Sequence, residues 1–172
     1  LAVNETEVLG TPEYMAPEMV MIEADRFGPR TDIYLLGACL HHILTGAPRH
    51  DGENVIAKLY SAAQSTPFDY PQSVPAELAS IAHRAMDFDP AARYPSADSL
   101  RLALIRFLKH RGSLRLSQAA MDLMPELEAM QASPTEQDNH AQLRRIGECR
   151  FGFNQALAQW PDNPQAREGL QH

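Results

Sequence analysis

Residues 31 to 46 read TDIYLLGACLHHILTG, and this stretch decides the fold. From Asp32 to Leu44 apolar side chains fall on nearly every face of a 3.6-residue helix. A helix that is hydrophobic all round belongs inside a core. Thr31 or Asp32 is suited to cap its start, because either side chain accepts a bond from a free first-turn amide, and Gly46 with Pro48 marks its end. Gly37 in mid-helix costs about 1 kcal/mol relative to Ala, a loss that makes sense where another element crosses closely. The pattern therefore predicts a central helix over 32–44 with a tight crossing at Gly37.

Moving toward the C-terminus, Arg49 to Asp51 reads as a polar turn and Asn54 to Gln64 as a short helix. Thr66 to Pro75 carries three prolines, which forbid regular structure there, and Pro75 suits the first position of a further helix. That helix sets Leu78, Ile81, Ala82 and Ala85 on one stripe and ends near Asp87. Ser96 caps the next one, with Asp98 in its first turn and Lys109, His110 and Arg111 in its last, where their charges match the helix dipole. Gly112 is expected to stop it. In the other direction, residues 1 to 18 read as an irregular loop holding Gly10, Pro12 and Pro17. Alternating β-branched and aromatic runs are almost absent, so the fold class is mainly α.

Beyond Gly112 helical patterning resumes at Ser117, Pro125 kinks that helix or starts a new one, and Ser133-Pro134-Thr135 reads as a turn. A long helix from Glu136 to Trp160 places Leu143, Ile146, Phe153, Leu157 and Trp160 on one seam, and Asn163 with Pro164 caps its successor. Two domains are expected, 1–112 and a helical tail over 113–172.

With 15 Lys+Arg against 22 Asp+Glu, the chain of 172 residues carries a formal charge of −7. Both sides of Gly112 are acidic, which argues against nucleic acid as a partner. Cys39 and Cys149 lie far apart, with no CxxC or Cys/His cluster, so no metal site is expected and both read as free, largely buried thiols of a reducing cytosol. No apolar run reaches the roughly 20 residues of a membrane span. Leu1 opens the chain without an initiator Met or a secretory signal, as a cut inside a longer polypeptide would, and the Asn4-Glu5-Thr6 sequon then reads as chance. His41 and His42 point about 100° apart on a helix and read as packing or surface groups, and the Met19–Met21 pair reads as core filler.

GTPEYMAPE at residues 10 to 18 resembles the activation segment and Ala-Pro-Glu signature of eukaryotic-type (Hanks-type) serine/threonine protein kinases. TDIYLLGACLHHILTG at 31–46 is similar to the buried F helix of the kinase C-lobe, and DPAARYPSADSL at 89–100 to the loop and last helix of that lobe. The resemblance covers residues 1 to about 111, and its form suggests a bacterial member. It implies a buried ion pair between Glu18 and Arg93, an F-helix anchor at Asp32 that accepts amides from the catalytic loop, and a substrate-docking loop at Gly10, Thr11 and Pro12. Thr11 implies a preference for Ser or Thr acceptors. Thr6 lies where activating phosphorylation often falls, although Glu5 and Glu7 oppose a further negative charge there. Tyr34 and Leu35 replace the family's usual aromatic-serine pair.

Phosphoryl transfer also needs a glycine-rich lid, a strand lysine, a catalytic Asp with its Asn, and the DFG aspartate. The sequence contains none of these, so ATP and Mg are expected in a full-length parent and no cofactor or catalytic residue in this fragment. The resemblance thus implies part of a kinase that acts on protein substrates in the cytoplasm, with membrane tethering of the parent left open. The alternative is a pseudokinase or interaction scaffold. The segment FNQALAQWPDNP at 153–164 is similar to the second helix of a tetratricopeptide repeat, which implies a protein partner for the tail. Self-association is expected of a lobe that lacks its catalytic loop.

Overall fold

The computed structural model describes residues 10–132 and 138–171; Thr6 and the expected turn at 133–135 lie outside them. Every regular element among the described residues is helical. The chain divides into two compact units, one up to Leu104 and one from Ile105.

The first unit contains α1 (Pro17–Met21), α2 (Pro29–Thr45), α3 (Val55–Gln64), α4 (Ala76–Ala85) and the start of α5 (Ala97–Met121). Helix α2 begins earlier than Thr31 or Asp32. Its N-cap is Gly28, Pro29 opens it with a ring that presets the helical φ, and the Thr31 hydroxyl accepts a bond from the Gly28 amide at 3.2 Å. Gly46 ends it in the left-handed region (φ 75°) and donates to the His42 carbonyl at 2.8 Å.

Ile33, Tyr34, Gly37, Ala38 and His41 of α2 are buried, but Asp32, Leu36, Cys39 and Ile43 form an exposed stripe. These four sit at i, i+4, i+7 and i+11, one face of the helix. The all-round burial expected of α2 and the expected burial of Cys39 are therefore both corrected; only Cys149 is a buried thiol. At the crossing with α4, a Cβ on Gly37 would lie 2.8 Å from the Ala85 Cβ and 2.7 Å from the Met86 Cγ, so glycine alone admits this approach. Ala16, Tyr34, Ala38, Ala82 and Met86 make the core of this unit, with Met19 packed against it, whereas Met21 is exposed and does not fill the core as expected.

In the second unit α5 continues through Gly112 to Met121, followed by α6 (Met124–Ala132), α7 (Asp138–Gln159) and α8 (Pro164–Gly169). Gly112 is no stop signal. A Cβ there would lie 2.5 Å from Gln159 Oε1, and the next residue, Ser113, is buried and donates to the Ala156 carbonyl at 2.7 Å. Packing with α7 thus overrides the local preference. A new helix, α6, begins at Met124 with Pro125 in its first turn.

Helix α7 turns Cys149, Phe153 and Ala156 inward against Ala120 and Ala166. Leu143, six residues before Cys149 and about 120° around the helix, is 67% exposed, which removes it from the expected seam. Asn163 is fully buried: its Oδ1 accepts from the Ala166 amide at 3.2 Å, and its Nδ2 donates to the hydroxyls of Ser113 at 2.8 Å and Ser117 at 3.2 Å. This one side chain caps α8 and ties it to α5. Gly169 leaves room for the Phe153 ring, which fills the space a Cβ would take.

Candidate functional site

Residues 10 to 18 lie as a strip whose first residues are exposed and whose last four are buried. Gly10 adopts φ 128°, a region that strains any residue with a Cβ, and Thr11 follows at the surface as the N-cap of a 3-10 turn over Pro12–Tyr14. The turn closes with the Tyr14 amide on the Thr11 carbonyl at 3.0 Å. Gly10, Thr11 and Pro12 are thus presented together on the outside of the first unit.

Beneath them the strip is clamped from several directions. The Tyr14 hydroxyl meets His42 Nδ1 at 2.6 Å on α2, and Lys58 of α3 pairs with Glu13 at 2.6 Å. The His50 amide donates to the Glu13 carbonyl at 3.0 Å. His50 itself is fully buried, with Nε2 at 3.1 Å from the Met15 carbonyl and 3.0 Å from the Tyr34 hydroxyl. A carbonyl only accepts, so the network assigns the proton to Nε2. Tyr34 in turn bonds the Ser65 hydroxyl at 2.6 Å. Burial, reinforced by the Arg49 charge, pushes the His50 pKa down to about 4, so the ring is neutral at physiological pH. His41 is likewise buried and lowered to about 4, by burial first and then by Arg49, His42 and His83. It bonds the Tyr70 hydroxyl at 2.9 Å and packs edge-on against Phe68 at 4.6 Å.

The far end of the strip is fixed by an ion pair from which water is excluded. Arg93 Nη1 donates to Glu18 Oε1 at 2.7 Å and Nη2 to Oε2 at 2.9 Å, with both side chains 0% exposed. The remaining donors of the guanidinium reach the carbonyls of Asp87 at 2.7 Å, Arg30 at 3.0 Å and Phe88 at 3.3 Å. All five N–H groups of Arg93 are therefore used, and the Tyr34 ring lies beneath it with its centroid at 4.8 Å. Burial raises the Glu18 pKa, but the Arg93 hydrogen bonds, a backbone amide, the Arg93 charge and the Thr31 hydroxyl together outweigh it, and the carboxyl sits below its usual range. The group stays ionised because it is paired.

The structure thus brings Glu18 and Arg93 together across 75 residues of sequence and groups Gly10, Thr11 and Pro12 at the surface. Asp32 is exposed in the first turn of α2, where no described residue donates to it. The described residues contain no group of three potential metal ligands, and none of their helices is long and apolar enough to cross a membrane. His50, Tyr34, Ser65 and Lys58 are the members of the clamp that sequence reading missed. Arg49 to Asp51, polar in sequence, holds the fully buried His50. A lone histidine in a polar stretch gives no signal of burial, because its partners come from residues 15 and 34.

No family model matches the chain. Among curated proteins it is similar to the serine/threonine-protein kinase PknB of Mycobacterium leprae, 31% identical over 102 residues that make up 58% of this chain and 16% of the relative. The PknB of Mycolicibacterium smegmatis is 32% identical over 102 residues, with the same shares. The serine/threonine-protein kinase PknD of Chlamydia trachomatis serovar D is 34% identical over 109 residues, 60% of this chain and 11% of the relative. The chain therefore spans less than a fifth of the length of these relatives.

Proposed function

We propose that this chain, which carries a helical-lobe segment homologous to bacterial Hanks-type serine/threonine protein kinases, serves as the acceptor-positioning and anchoring part of such a kinase. The reaction is transfer of the ATP γ-phosphate to a Ser or Thr hydroxyl of a protein. The observation that carries this reading is the buried Glu18–Arg93 pair, which joins two of the segments that resemble the family and fixes the strip leading to Thr11.

Phosphoryl transfer is catalysed mainly by positioning and electrostatics. A docking loop must therefore hold its shape while a substrate binds. Tyr14–His42, Lys58–Glu13 and the His50 contacts supply that rigidity, leaving the Thr11 side chain free to meet the acceptor segment. ATP and Mg would be held by residues of the longer polypeptide, and this chain alone would neither bind nucleotide nor transfer phosphate. Asp32 would accept amides of the catalytic loop, which would also cover the stripe formed by Leu36, Cys39 and Ile43. Left uncovered, that stripe would favour self-association. The second unit would recruit a protein partner through contacts of its helices.

The test is kinetic. In the natural gene product that carries this chain, Thr11→Ala should lower kcat/KM for a Ser-containing protein substrate by about tenfold, the loss of one bond made only in the reacting complex. The helical spectrum should be unchanged, because Thr11 is exposed and only its backbone closes the turn. Full kcat/KM in the variant would overturn the assignment of the docking loop.

A further inference from the structure

Outside the clamped strip, the first unit has a cleft of about 570 Å³ between the end of α3, the segment that follows it and α4. Its charge is unusual for so acidic a chain: Arg49 and Arg84 line it against the single carboxylate of Asp87, with the His83 ring beside them. His83 is committed to the Phe68 carbonyl at 2.7 Å, and an Asp87 oxygen accepts the Asp89 amide at 2.9 Å. Arg84 lies over the Tyr94 ring at 4.4 Å, and neither it nor Arg49 has a carboxylate within ion-pair reach among the described residues.

Arg49 is the more telling of the two. Its Nη2 donates to the Thr66 carbonyl at 2.5 Å, but its Nε is buried with no hydrogen-bond partner, the one such side-chain atom among the described residues. A buried donor left unsatisfied on a cation is costly unless something arrives to accept from it. The charge is felt well inside the lobe, since it opposes protonation of both His41 and His50. Phe68, Met86 and Phe88 also line the cleft and give it apolar surface, and Ser80 adds a hydroxyl-bearing side chain to the lining.

We infer that this cleft binds a phosphate monoester carried on an aromatic or apolar body, with Arg49 and Arg84 gripping the anion and the Phe68–Phe88 wall holding the body. Two planar guanidiniums suit a dianion with several acceptor oxygens better than a lone carboxylate. The volume falls in the range of small-molecule sites and far exceeds what a bare phosphate fills. None of Gly10, Thr11 and Pro12 lines the cleft.

Phenyl phosphate is the probe, titrated into the chain by calorimetry and by heteronuclear NMR at neutral pH. Saturable binding is expected, with shifts at Ser80, His83 and Arg84, and with inorganic phosphate and phenol each binding more weakly than the ester. Arg49→Gln and Arg84→Gln should each weaken it by roughly tenfold or more, the loss of a charge-assisted bond. Ser80→Trp should fill the cleft and abolish it. Arg84 is exposed, so its variant decides the matter even where Arg49→Gln unfolds the lobe. Free phosphotyrosine and a phosphotyrosine peptide then separate a small metabolite from a modified protein as the source of the ester. No saturable binding, equal binding of inorganic phosphate, or unchanged affinity in Arg84→Gln would overturn the inference.

Discussion

Replacing Arg93 by Ala removes both hydrogen bonds to the Glu18 carboxylate and three more to the carbonyls of Arg30, Asp87 and Phe88. Glu18 is then a buried charge without a partner. Breaking such a pair from one side typically costs about 3 to 5 kcal/mol, and three carbonyls lose a donor as well, so Arg93→Ala should lie at the upper end of that range. Glu18→Ala should cost less, about 3 kcal/mol, because the guanidinium keeps its three carbonyl acceptors. The double variant should be less destabilised than the sum of the singles by about 2 kcal/mol or more, since the second substitution removes a group already stranded by the first. The assay is urea unfolding of the four proteins followed by far-UV circular dichroism. With both side chains 0% exposed, the loss should barely change between low and high salt, unlike that of a surface pair. Additive single effects, or a loss below about 1 kcal/mol for Arg93→Ala, would refute the claim that this pair holds the strip to the lobe.

Other expectations follow from the same geometry. His41 and His50 have pKa values near 4 when folded against an ordinary 6.5, so the unfolded chain binds more protons between those values and stability rises with pH across that window. Lowering the pH from 7.5 to 5 should remove about 2 kcal/mol per histidine; a urea midpoint that does not move over this range would contradict the neutral rings. Glu18, lowered when folded, adds a loss in the same direction at more acidic pH, as the carboxyl protonates below its usual 4.5. Gly37→Ala gains about 1 kcal/mol of helix propensity, yet it drives a methyl into Ala85 and Met86 at a cost of about 1 to 3 kcal/mol. A lowered melting temperature is expected. Asn163→Ala removes a helix cap and leaves the buried Ser113 and Ser117 hydroxyls without their shared donor, a loss of about 2 to 3 kcal/mol that thermal unfolding of the variant would read.

Where the information is local, the sequence carries it. Gly46 ends α2, Asn54 and Asn163 cap their helices through their own side chains, and Pro125 stands in the first turn of a new helix, each decided within a few residues. The crossing at Gly37 is legible for a related reason, because a glycine in mid-helix is a local loss that only a close neighbour explains. What fails is whatever depends on a distant partner. Gly112 stays helical because Gln159 and Ala156 pack on its turn, and His50 is buried because Met15 and Tyr34 receive it. Cys39, set between Ala38 and Leu40, and Leu143, set between Gln142 and Arg144, both fall on exposed faces, since composition does not say which side of a helix meets the core. The site divides in the same way. Motifs mark Thr11, Glu18 and Arg93 as candidates, and the last two do pair in the structure, whereas the tyrosine–histidine–serine cluster under the strip has no sequence signature and appears only in three dimensions.

The central claim is most directly tested by incubating the natural gene product that carries this chain with Mg and ATP labelled in the γ-phosphate, together with a mixture of proteins, followed by phosphoamino acid analysis. Labelled phosphoserine and phosphothreonine are the predicted result; phosphotyrosine alone, or no label in any protein, would contradict it and leave the lobe as an interaction module.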